Sequence, residues 1–376
     1  AILGESQEML ADLVGRYLAD NFDFETRRAS LATSGWPVQL WQTFAQELGI
    51  LALPFAEEQG GLGLGALDSM VVMEALGRGL AAEPFLSCVV GFGALVNGLG
   101  PARRAHLAPL IGEVIAGEAR IALALVDARG APGCGNRVLA CDSEGWRLIG
   151  DAPIVPAAGC ATHIVVSAAM PDGATGLVLL PRDASGLDWS DVPLIDGTMA
   201  GALKADLVLA DTALIARDAG PILPAVHDAM LAALGAEITG IIATLIEITV
   251  DFARQRTQFG KAISSFQVIQ HRMADMYVEG ELARSMALLA ALKLDGNPIE
   301  RAAAAAACKA RTAIAGRMVA QASVQIHGGI GTTDELVVGH YFKRLLTIEA
   351  LYGGAASHVK QYSRHRAALG EPLPVV

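Results

Sequence analysis

The stretch RQRTQFGKAISSFQ at residues 254–267, followed by QIHGGIGTT at residues 325–333, decides the fold of this chain. In the first stretch Gly260 interrupts an apolar-periodic run that ends in cations, which predicts the end of one helix and the start of the next. An arginine at such a corner, Arg256, can donate two parallel hydrogen bonds to a pyrophosphate. The plainer alternative is a solvated cation at a helix end, so this stretch alone does not establish a binding site.

Ser264 and Gln267 are spaced as in a capping box, which predicts the N-terminus of the second helix. A glutamine also supplies both a donor and an acceptor of hydrogen bonds to a ligand. Gln267 is therefore either a cap or a contact for a bound molecule.

The second stretch ends a long helix. Asn297 and Pro298 predict its start, as an N-cap residue and a first-turn proline, and Gly328 predicts its end. One glycine is enough to end a helix. The further glycines Gly329 and Gly331 therefore indicate a close backbone approach to a ligand or to another chain, although a glycine-rich turn alone is a weak motif.

The two stretches together are more specific than either alone. The pattern Arg-x-x-Phe-Gly with a later Phe-Gln, then Gln-x-x-Gly-Gly-x-Gly, resembles the acyl-CoA dehydrogenase family. The resemblance extends over nearly the whole chain, since LPFAEEQGGLG at residues 53–63 is similar to the family's first helical domain. Residues 327–344 are most similar to the small subunit of pimeloyl-CoA dehydrogenase-like heteromeric enzymes.

Hydrophobic periodicity divides the chain into three segments. Helical patterns fill residues 1–118 and return in residues 218–376. Residues 119–217 predict an antiparallel β-domain, because turn residues separate short apolar runs at 120–126, 146–149, 163–167 and 176–180. We therefore expect a mainly helical α+β fold. The resemblance implies the same order: an N-terminal helical domain, a middle β-domain and a C-terminal four-helix bundle.

The resemblance also implies a cofactor and the residues that hold it. FAD is the family's cofactor, an electron-transfer flavoprotein is the expected electron acceptor, and a dimer or tetramer of like or unlike subunits is the expected assembly. Three residues match the positions that hold the diphosphate and adenine side of FAD: Arg256, Phe259 and Gln267. Three more match the positions that reach the flavin of a neighbouring subunit: Gln325, Gly328 and Gly329.

The family reaction needs a base at a position that this chain has changed. A carboxylate removes the α-proton of an acyl-CoA thioester while the β-hydrogen leaves as hydride to the flavin. The resemblance places that carboxylate in a Tyr-Glu-Gly-Thr segment, where this chain has YGGA at residues 352–355, or 26 residues before Arg256, where it has Met230. Neither position carries a carboxylate.

The β-domain has also lost parts of the family's flavin site. The Thr-Glu-Pro-Gly-Ala-Gly-Ser-Asp loop of the family corresponds to VDARGAP at residues 126–132, and its flavin-facing Ile-Thr-Asn segment corresponds to VPA at residues 155–157. Pro156 offers neither a hydroxyl group nor a backbone donor. We infer that the half of the site in the β-domain is eroded, whereas the C-terminal half is kept.

One carboxylate is the candidate base within this chain. Glu237 is the only charged residue in the apolar run at residues 230–246, and it lies two helical turns after Met230 on nearly the same face. Burying an unpaired carboxylate is costly, so such a residue is hydrogen-bonded, protonated or functional. A pair with a buried arginine or lysine of another helix is the structural alternative. Glu349 is a weaker candidate.

Composition fits an enzyme of the cytoplasm. The chain has 376 residues, 53% of them hydrophobic, and its formal net charge of -11 argues against nucleic acid as a partner. No run reaches the roughly 18 uninterrupted apolar residues of a membrane span, and no signal peptide is visible, although the chain starts at Ala1 without a methionine. The five cysteines lack metal-ligand spacing, so we expect buried free thiols and no metal site.

Two functions remain. The first is a flavoprotein subunit of an acyl-CoA dehydrogenase, assembled with a different subunit that provides the missing FAD contacts and the base. The second is a non-catalytic partner that keeps the fold for assembly alone. The retained Arg256 and Gln325 favour the first, and a homo-oligomeric dehydrogenase that uses Glu237 lies between the two. The sequence leaves the acyl group open among dicarboxylyl, steroid side-chain and aromatic-derived CoA thioesters.

Overall fold

The structure is a computed structural model that describes residues 3–81, 84–143, 145–210 and 212–370. Contacts divide the chain into two units. The first comprises Ala1–Thr26, Ala66–Ala81 and Leu231–Val376, and the second comprises Arg27–Gly65 and Ala82–Met230. Each unit combines stretches that are far apart in sequence, so the three-segment division at residues 118 and 217 stays a prediction.

Eleven α-helices lie within the described ranges. The six before the sheet are α1 (Glu5–Asn21), α2 (Phe24–Ser34), α3 (Val38–Gln46), α4 (Ala66–Gly79), α5 (Phe92–Gly98) and α6 (Pro101–Ile115). The five after it are α7 (Leu223–Gln255), α8 (Gln267–Lys293), α9 (Pro298–His327), α10 (Val337–Ala350) and α11 (Ala355–Ala368). The predicted mainly helical α+β class is confirmed.

The chain between α6 and α7 forms one sheet. Its strands are β1 (Ile121–Ala124), β2 (Val138–Asp142), β3 (Gly145–Val155), β4 (His163–Ala169), β5 (Thr175–Pro181), β6 (Leu187–Pro193), β7 (Met199–Val208) and β8 (Leu214–Ala216). The strand order is β6-β7-β3-β2-β4-β5-β8, and β1 pairs with β4. A core of buried aliphatic residues that includes Leu148, Ile164, Val178 and Leu203 holds the sheet together.

The sheet differs from a purely antiparallel one at β4. Both β1 and the first residue of β2 pair with β4 in parallel, whereas the other named pairings of this sheet are antiparallel. A parallel pairing needs a long connection between its strands, and the β2–β3 hairpin provides one between β1 and β4. Apolar alternation along one strand does not indicate the direction of its neighbour, so the sequence could not reveal this.

The last helices form the predicted bundle, in which α8, α10 and α11 each pack against α9. The start of α9 agrees with the sequence, since the Asn297 side chain accepts a hydrogen bond of 2.9 Å from the Ile299 amide. Gly328 ends the helix as predicted. The residues at its two ends were therefore sufficient to predict where α9 begins and ends.

One helix of the bundle, α7, is long and apolar enough to cross a membrane, judged by length and composition alone. However, 78% of its most apolar stretch is buried within the protein. Such burial is typical of a core helix, which shields its apolar residues with the rest of the chain.

All five cysteines are free thiols. Cys88 and Cys308 are buried, as expected, and burial raises the pKa of the Cys308 thiol to about 12. Cys141 on β2 is exposed, so the expectation of buried thiols was wrong for this residue. The alternation of a strand turns every second side chain outward regardless of its hydrophobicity.

Two glycines lie where α4 and α7 cross. A Cβ atom added to Gly77 would lie 2.1 Å from the Glu237 carbonyl oxygen, and one added to Gly240 would lie 2.0 Å from the Glu74 carbonyl oxygen. The helices therefore touch backbone to backbone, which requires glycine at both positions. This crossing fixes the part of α7 that carries Glu237.

Gly240→Ala should lower the free energy of unfolding by about 1–3 kcal/mol, because the added methyl group forces the two helix backbones apart. Gly15→Ala is the matched control, since a Cβ atom at Gly15 in α1 would have no neighbour within 4 Å. That change should be neutral or stabilise the protein by up to ~1 kcal/mol. Urea denaturation of both variants tests this, and equal midpoints would contradict the close crossing.

Candidate functional site

A two-residue hairpin follows the end of α7. Its strands are β9 (Thr257–Gln258) and β10 (Lys261–Ala262), and the residues between them, Phe259 and Gly260, have φ angles of 53° and 81°. Two successive positive φ angles match the twist of a tight hairpin. Glycine adopts this backbone freely, whereas phenylalanine is strained in it. The turn directs Phe259 into solvent, with 92% of its surface exposed.

The start of α8 differs from the predicted capping box. Residues Ile263–Ser265 form a 3₁₀ turn, and Phe266 is the N-cap residue without a side-chain cap. The prediction that Ser264 caps the helix was therefore wrong, because the 3₁₀ turn moves the start of α8 to Gln267. The Ser264 carbonyl oxygen instead accepts a hydrogen bond of 3.0 Å from Gln270 Nε2. The Gln267 side chain takes no part in capping and is exposed.

An aromatic stack joins the ends of α7 and α9. The Phe252 ring lies 4.3 Å from the His327 ring, at an interplanar angle of 29°. Arg256 follows Phe252 by one helical turn, and the Arg256 amide donates to the Phe252 carbonyl oxygen at 2.9 Å. Gly328 follows His327 directly. The stack therefore places the two stretches of sequence side by side.

His327 is held by its own helix. Its Nδ1 atom donates to the Ser323 carbonyl oxygen at 2.8 Å. Burial lowers the pKa of His327, and this hydrogen bond opposes the shift. The imidazole is therefore neutral at pH 7, and its contacts fix the backbone where the glycine turn begins.

All six predicted cofactor residues are exposed to solvent. Among the residues that the structure describes, no ion pair involves Arg256, whereas the nearby Arg254 pairs with Asp251 at 3.7 Å. Cβ atoms added to Gly328 and Gly329 would meet open space. Each of the six residues is therefore accessible to a ligand or to a second chain: Arg256, Phe259, Gln267, Gln325, Gly328 and Gly329.

The loop after β1 is bonded to itself. The Asp127 carboxylate accepts hydrogen bonds from the Arg129 and Ala131 amides, at 2.8 and 3.0 Å. The Asp127 amide in turn donates to the Ala131 carbonyl oxygen at 2.8 Å. These bonds close the segment at residues 126–132 into a compact turn, so its polar groups are used internally.

A buried arginine that the sequence analysis missed holds the same loop. Arg137 is 2% exposed, and its Nη2 atom donates to the carbonyl oxygens of Val126 and Gly133 at 3.1 and 3.0 Å. Its Nε atom donates to the Ser167 carbonyl oxygen at 2.8 Å. Burial lowers the pKa of Arg137, and nearby acidic groups oppose the shift. These loop carbonyl groups therefore face Arg137.

Comparison with known proteins decides the family. Two family models match, the acyl-CoA dehydrogenase N-terminal domain at residues 4–105 and the acyl-CoA dehydrogenase C-terminal domain at residues 230–373. The structure of a variant of the steroid ACAD Tcur3481-Tcur3483 is 30% identical with a TM-score of 0.87, and the match covers 98% of this chain and 99% of that chain. The chain belongs to the acyl-CoA dehydrogenase family.

Further comparisons agree with the family and with the fold. Acyl-CoA dehydrogenase IpdE2 of Mycobacterium tuberculosis (strain ATCC 25618 / H37Rv) is 28% identical over 341 residues, which are 90% of this chain and 91% of that protein. The ChsE4-ChsE5 complex from Mycobacterium tuberculosis is 25% identical with a TM-score of 0.87, covering 97% of this chain and 98% of that chain. A structure of PigA in complex with FAD shares the fold, with 22% identity, a TM-score of 0.83 and 98% of each chain covered.

Met230 and Gly353 are the residues at the two positions where the resemblance implies the base. Met230 is buried on α7 and 3% exposed. Gly353 has a φ angle of 94° and follows Tyr352, whose φ angle is 59°. Asp228 is a buried carboxylate, 5% exposed, that lies two residues before Met230 and that the sequence analysis passed over. It lies in the first part of α7, before the apolar run that drew attention to Glu237.

Glu237 is bound by an arginine of α10. The Nε and Nη2 atoms of Arg344 donate to its two carboxylate oxygens at 2.6 and 3.0 Å, and the side chains of Glu237 and Arg344 are 6% and 16% exposed. This two-pronged pair is the structural alternative foreseen for Glu237. Glu349 is likewise engaged, since it accepts a hydrogen bond of 3.0 Å from Arg317. The geometry favours a structural role for Glu237, and its role as a base stays a prediction.

Glu237→Gln should destabilise the fold by about 3 kcal/mol, because it leaves the Arg344 guanidinium incompletely paired inside the bundle. Glu247→Gln is the matched control, since Glu247 pairs with Arg78 at 3.1 Å but its side chain is 62% exposed. That loss should be ~1 kcal/mol or less. Denaturant unfolding measures both.

The opposite outcome would assign Glu237 to the chemistry. If Glu237→Gln unfolds at the wild-type midpoint, yet the assembled variant reduces its flavin with substrate on the order of a hundredfold more slowly, Glu237 is the base.

Proposed function

We propose that this chain is one subunit of a heteromeric acyl-CoA dehydrogenase, which desaturates an acyl-CoA thioester between its α and β carbons with hydride transfer to FAD. The contrast between the two halves of the flavin site carries this proposal. The C-terminal half is exposed, and Arg256 has no ion pair within the described residues. The β-domain loop, in contrast, is bonded to Arg137. A flavin on the C-terminal half therefore needs the β-domain of a different subunit.

The exposed residues have the chemistry that FAD requires. The planar guanidinium of Arg256 can donate two parallel hydrogen bonds to the diphosphate. Gln267 is the first residue of α8, where the backbone amides and the helix dipole favour a negative charge. Gly328 and Gly329 leave space for a close approach, because an added Cβ atom would meet no neighbour there. When bound, FAD supplies the acceptor for the hydride.

The β-domain of this chain does not match the same group. A flavin ring needs donors and acceptors directed at its polar edge, and Pro156 has no backbone N–H to give. The Val126 and Gly133 carbonyl oxygens already accept hydrogen bonds from Arg137. We therefore assign the β-domain contacts of the shared FAD to the partner subunit.

The partner subunit also supplies the base in this proposal. Met230 and Gly353 stand at the two family positions for the carboxylate, and Arg344 engages both oxygens of Glu237. An α-proton of a thioester is removed by a carboxylate that is free to accept it. This chain then contributes binding and orientation, with electron-transfer flavoprotein as the expected oxidant of the reduced enzyme.

The proposed substrate class is a bulky CoA thioester of the steroid type. The support is the steroid ACAD Tcur3481-Tcur3483, which matches this chain over 98% of its length. The absence of a side chain at Gly353 is compatible with a larger acyl group beside the turn, since a glutamate there would occupy that volume.

A non-catalytic structural partner is the second candidate function. The Glu237–Arg344 pair favours it, because the only charge in the apolar run of α7 is used for packing. Arg256 favours the first function, because it is exposed at the helix corner where the resemblance implies a diphosphate and forms no ion pair within the described residues.

FAD occupancy should depend on assembly. We expect the chain purified alone to hold little FAD and the co-expressed assembly with an unlike acyl-CoA dehydrogenase subunit to hold a stoichiometric amount. Native mass spectrometry and the visible flavin spectrum of both preparations measure this. Full and tight FAD occupancy in the isolated chain would contradict the shared site.

Arg256→Lys should weaken FAD retention in the assembly on the order of tenfold, because lysine keeps the charge but loses the planar pair of donors. Arg254→Lys is the matched control, since Arg254 pairs with Asp251 on its own helix at 3.7 Å. It should retain FAD as the wild type does. Equal flavin content in all three proteins would support the structural partner instead.

A further inference from the structure

Lys309 is a fully buried lysine that the proposed chemistry does not use. It lies on α9 and is 0% exposed, and its Nζ atom donates a hydrogen bond to the carbonyl oxygen of Ile348. Lysine is almost never fully buried in proteins unless it is paired. Ile348 belongs to the last turn of α10, where free carbonyl groups and the helix dipole attract a cation.

The groups that face Lys309 come from its own helix and from three neighbouring helices. They are Glu237 from α7, Cys308 from α9, Arg344 from α10 and His358 from α11. Burial is the main cause that lowers the pKa of Lys309 to about 7, while Cys308 and Glu237 oppose the shift and Arg344 adds to it. The ammonium and the neutral amine therefore both exist near neutral pH.

The turn at residues 351–354 follows directly after this anchored helix end. It is held on its other side by His358, whose Nε2 atom donates to the Tyr352 carbonyl oxygen at 2.9 Å. Tyr352 has a φ angle of 59°, which is strained for a residue with a side chain and persists only when its surroundings impose it. Contacts from α9 and α11 therefore determine the shape of this turn.

We propose that Lys309 is a positioning residue: its ammonium group anchors the end of α10 and so fixes the turn at residues 351–354, and loss of its proton loosens that turn. The charged form binds a carbonyl oxygen more strongly than the neutral amine, because hydrogen bonds from charged donors are stronger. The functional part rests on the proposed function, in which this turn lies beside the acyl thioester. Local opening of the turn removes the Ile348 carbonyl acceptor while Lys309 stays buried, so the open turn binds the proton more weakly than the closed turn. The turn is then tighter below neutral pH than above it.

Amide hydrogen exchange of the full chain without flavin or CoA tests the anchor. Between about pH 6 and about pH 9, after correction for the chemical exchange rate, protection of the Leu351 amide should fall on the order of tenfold through the Lys309 titration. This amide begins the turn and donates to the Thr347 carbonyl oxygen at 3.1 Å. Lys309→Met should show low protection that does not depend on pH. Lys360→Met, which replaces an exposed lysine on α11, should follow the wild type. Wild-type protection in Lys309→Met would overturn the anchor. A flat wild-type profile would overturn the loosening of the turn on loss of the proton, and that result does not require Lys309→Met to fold.

Unfolding equilibria test the titration separately. The pKa of Lys309 is lowered from 10.5 to about 7 on folding, so the unfolded chain binds more protons in this interval. Stability should therefore rise as pH increases from about 7 towards 10.5, by up to about tenfold in the unfolding equilibrium constant per pH unit from this group. Lys309→Met should lose this component. Burial raises the pKa of the Cys308 thiol, so the titration of this thiol lowers the stability of the fold at high pH. The contribution of Lys309 is therefore the difference in unfolding free energy between the wild type and Lys309→Met at each pH. An equal pH dependence in both would overturn the titration.

Binding of acetyl-CoA to the assembled enzyme tests the functional part. The methyl group of acetyl-CoA is its α-carbon and it has no β-carbon, so it can bind but cannot be desaturated. Calorimetry should show the affinity of the wild type falling on the order of tenfold over the same pH interval, while Lys309→Met binds weakly at every pH. An affinity that is independent of pH, with a pH-dependent exchange profile, would overturn the positioning role. A wild-type assembly that binds neither acetyl-CoA nor a bulky steroid-type acyl-CoA would overturn the proposed function, and the substrate-facing role with it, but not the anchor seen by exchange.

Discussion

The ion pair between Glu237 and Arg344 is the constraint on which the helical unit depends. Glu237 lies where α4 and α7 cross, because its carbonyl oxygen touches Gly77, and Arg344 reaches it from α10. Two charges withdrawn from water are tolerable only if each keeps its partner at bonding distance. The register of α7 against α10 is thereby fixed, and the nearby Lys309 extends the same polar cluster to α9. The buried residues of α9 are largely alanines, whose small side chains interlock little, so these few polar contacts help to specify how the helices fit.

The sequence was most informative where a signal is local. Asn297 and Gly328 determine the ends of α9 through backbone chemistry that needs no neighbour. The spacing of Ser264 and Gln267 predicted a capping box, but residues Ile263–Ser265 form a 3₁₀ turn instead. A local pattern can therefore fit two different backbone structures. The direction of β1 against β4 depends on long-range pairing, which periodicity within a strand does not encode.

In the candidate site, too, local signals could be read from the sequence, whereas contacts between distant residues could not. Periodicity indicated that Glu237 is buried, but its partner Arg344 lies over a hundred positions later and only the fold brings them together. Lys309 carried a weaker signal than Glu237, because it ends an alanine-rich run but Arg311 follows it by two residues. Arg137 could not have been recognised, since nothing near it in sequence identifies the carbonyl groups that it binds. The stack of Phe252 on His327 likewise depends on packing between helices that are separate in sequence.

The exposed apolar surface of this chain has a cellular consequence. Phe259 is 92% exposed, and Val278, Leu282 and Leu289 lie along one outer stripe of α8 with 55%, 46% and 41% of their surfaces in water. Exposed apolar side chains of this size favour association, so surplus copies of the chain associate with one another or occupy chaperones. In the proposed heteromeric assembly a partner chain covers this surface. A cell that makes such an assembly has to match the rates of synthesis of its two polypeptides, so that few copies of this chain are left uncovered.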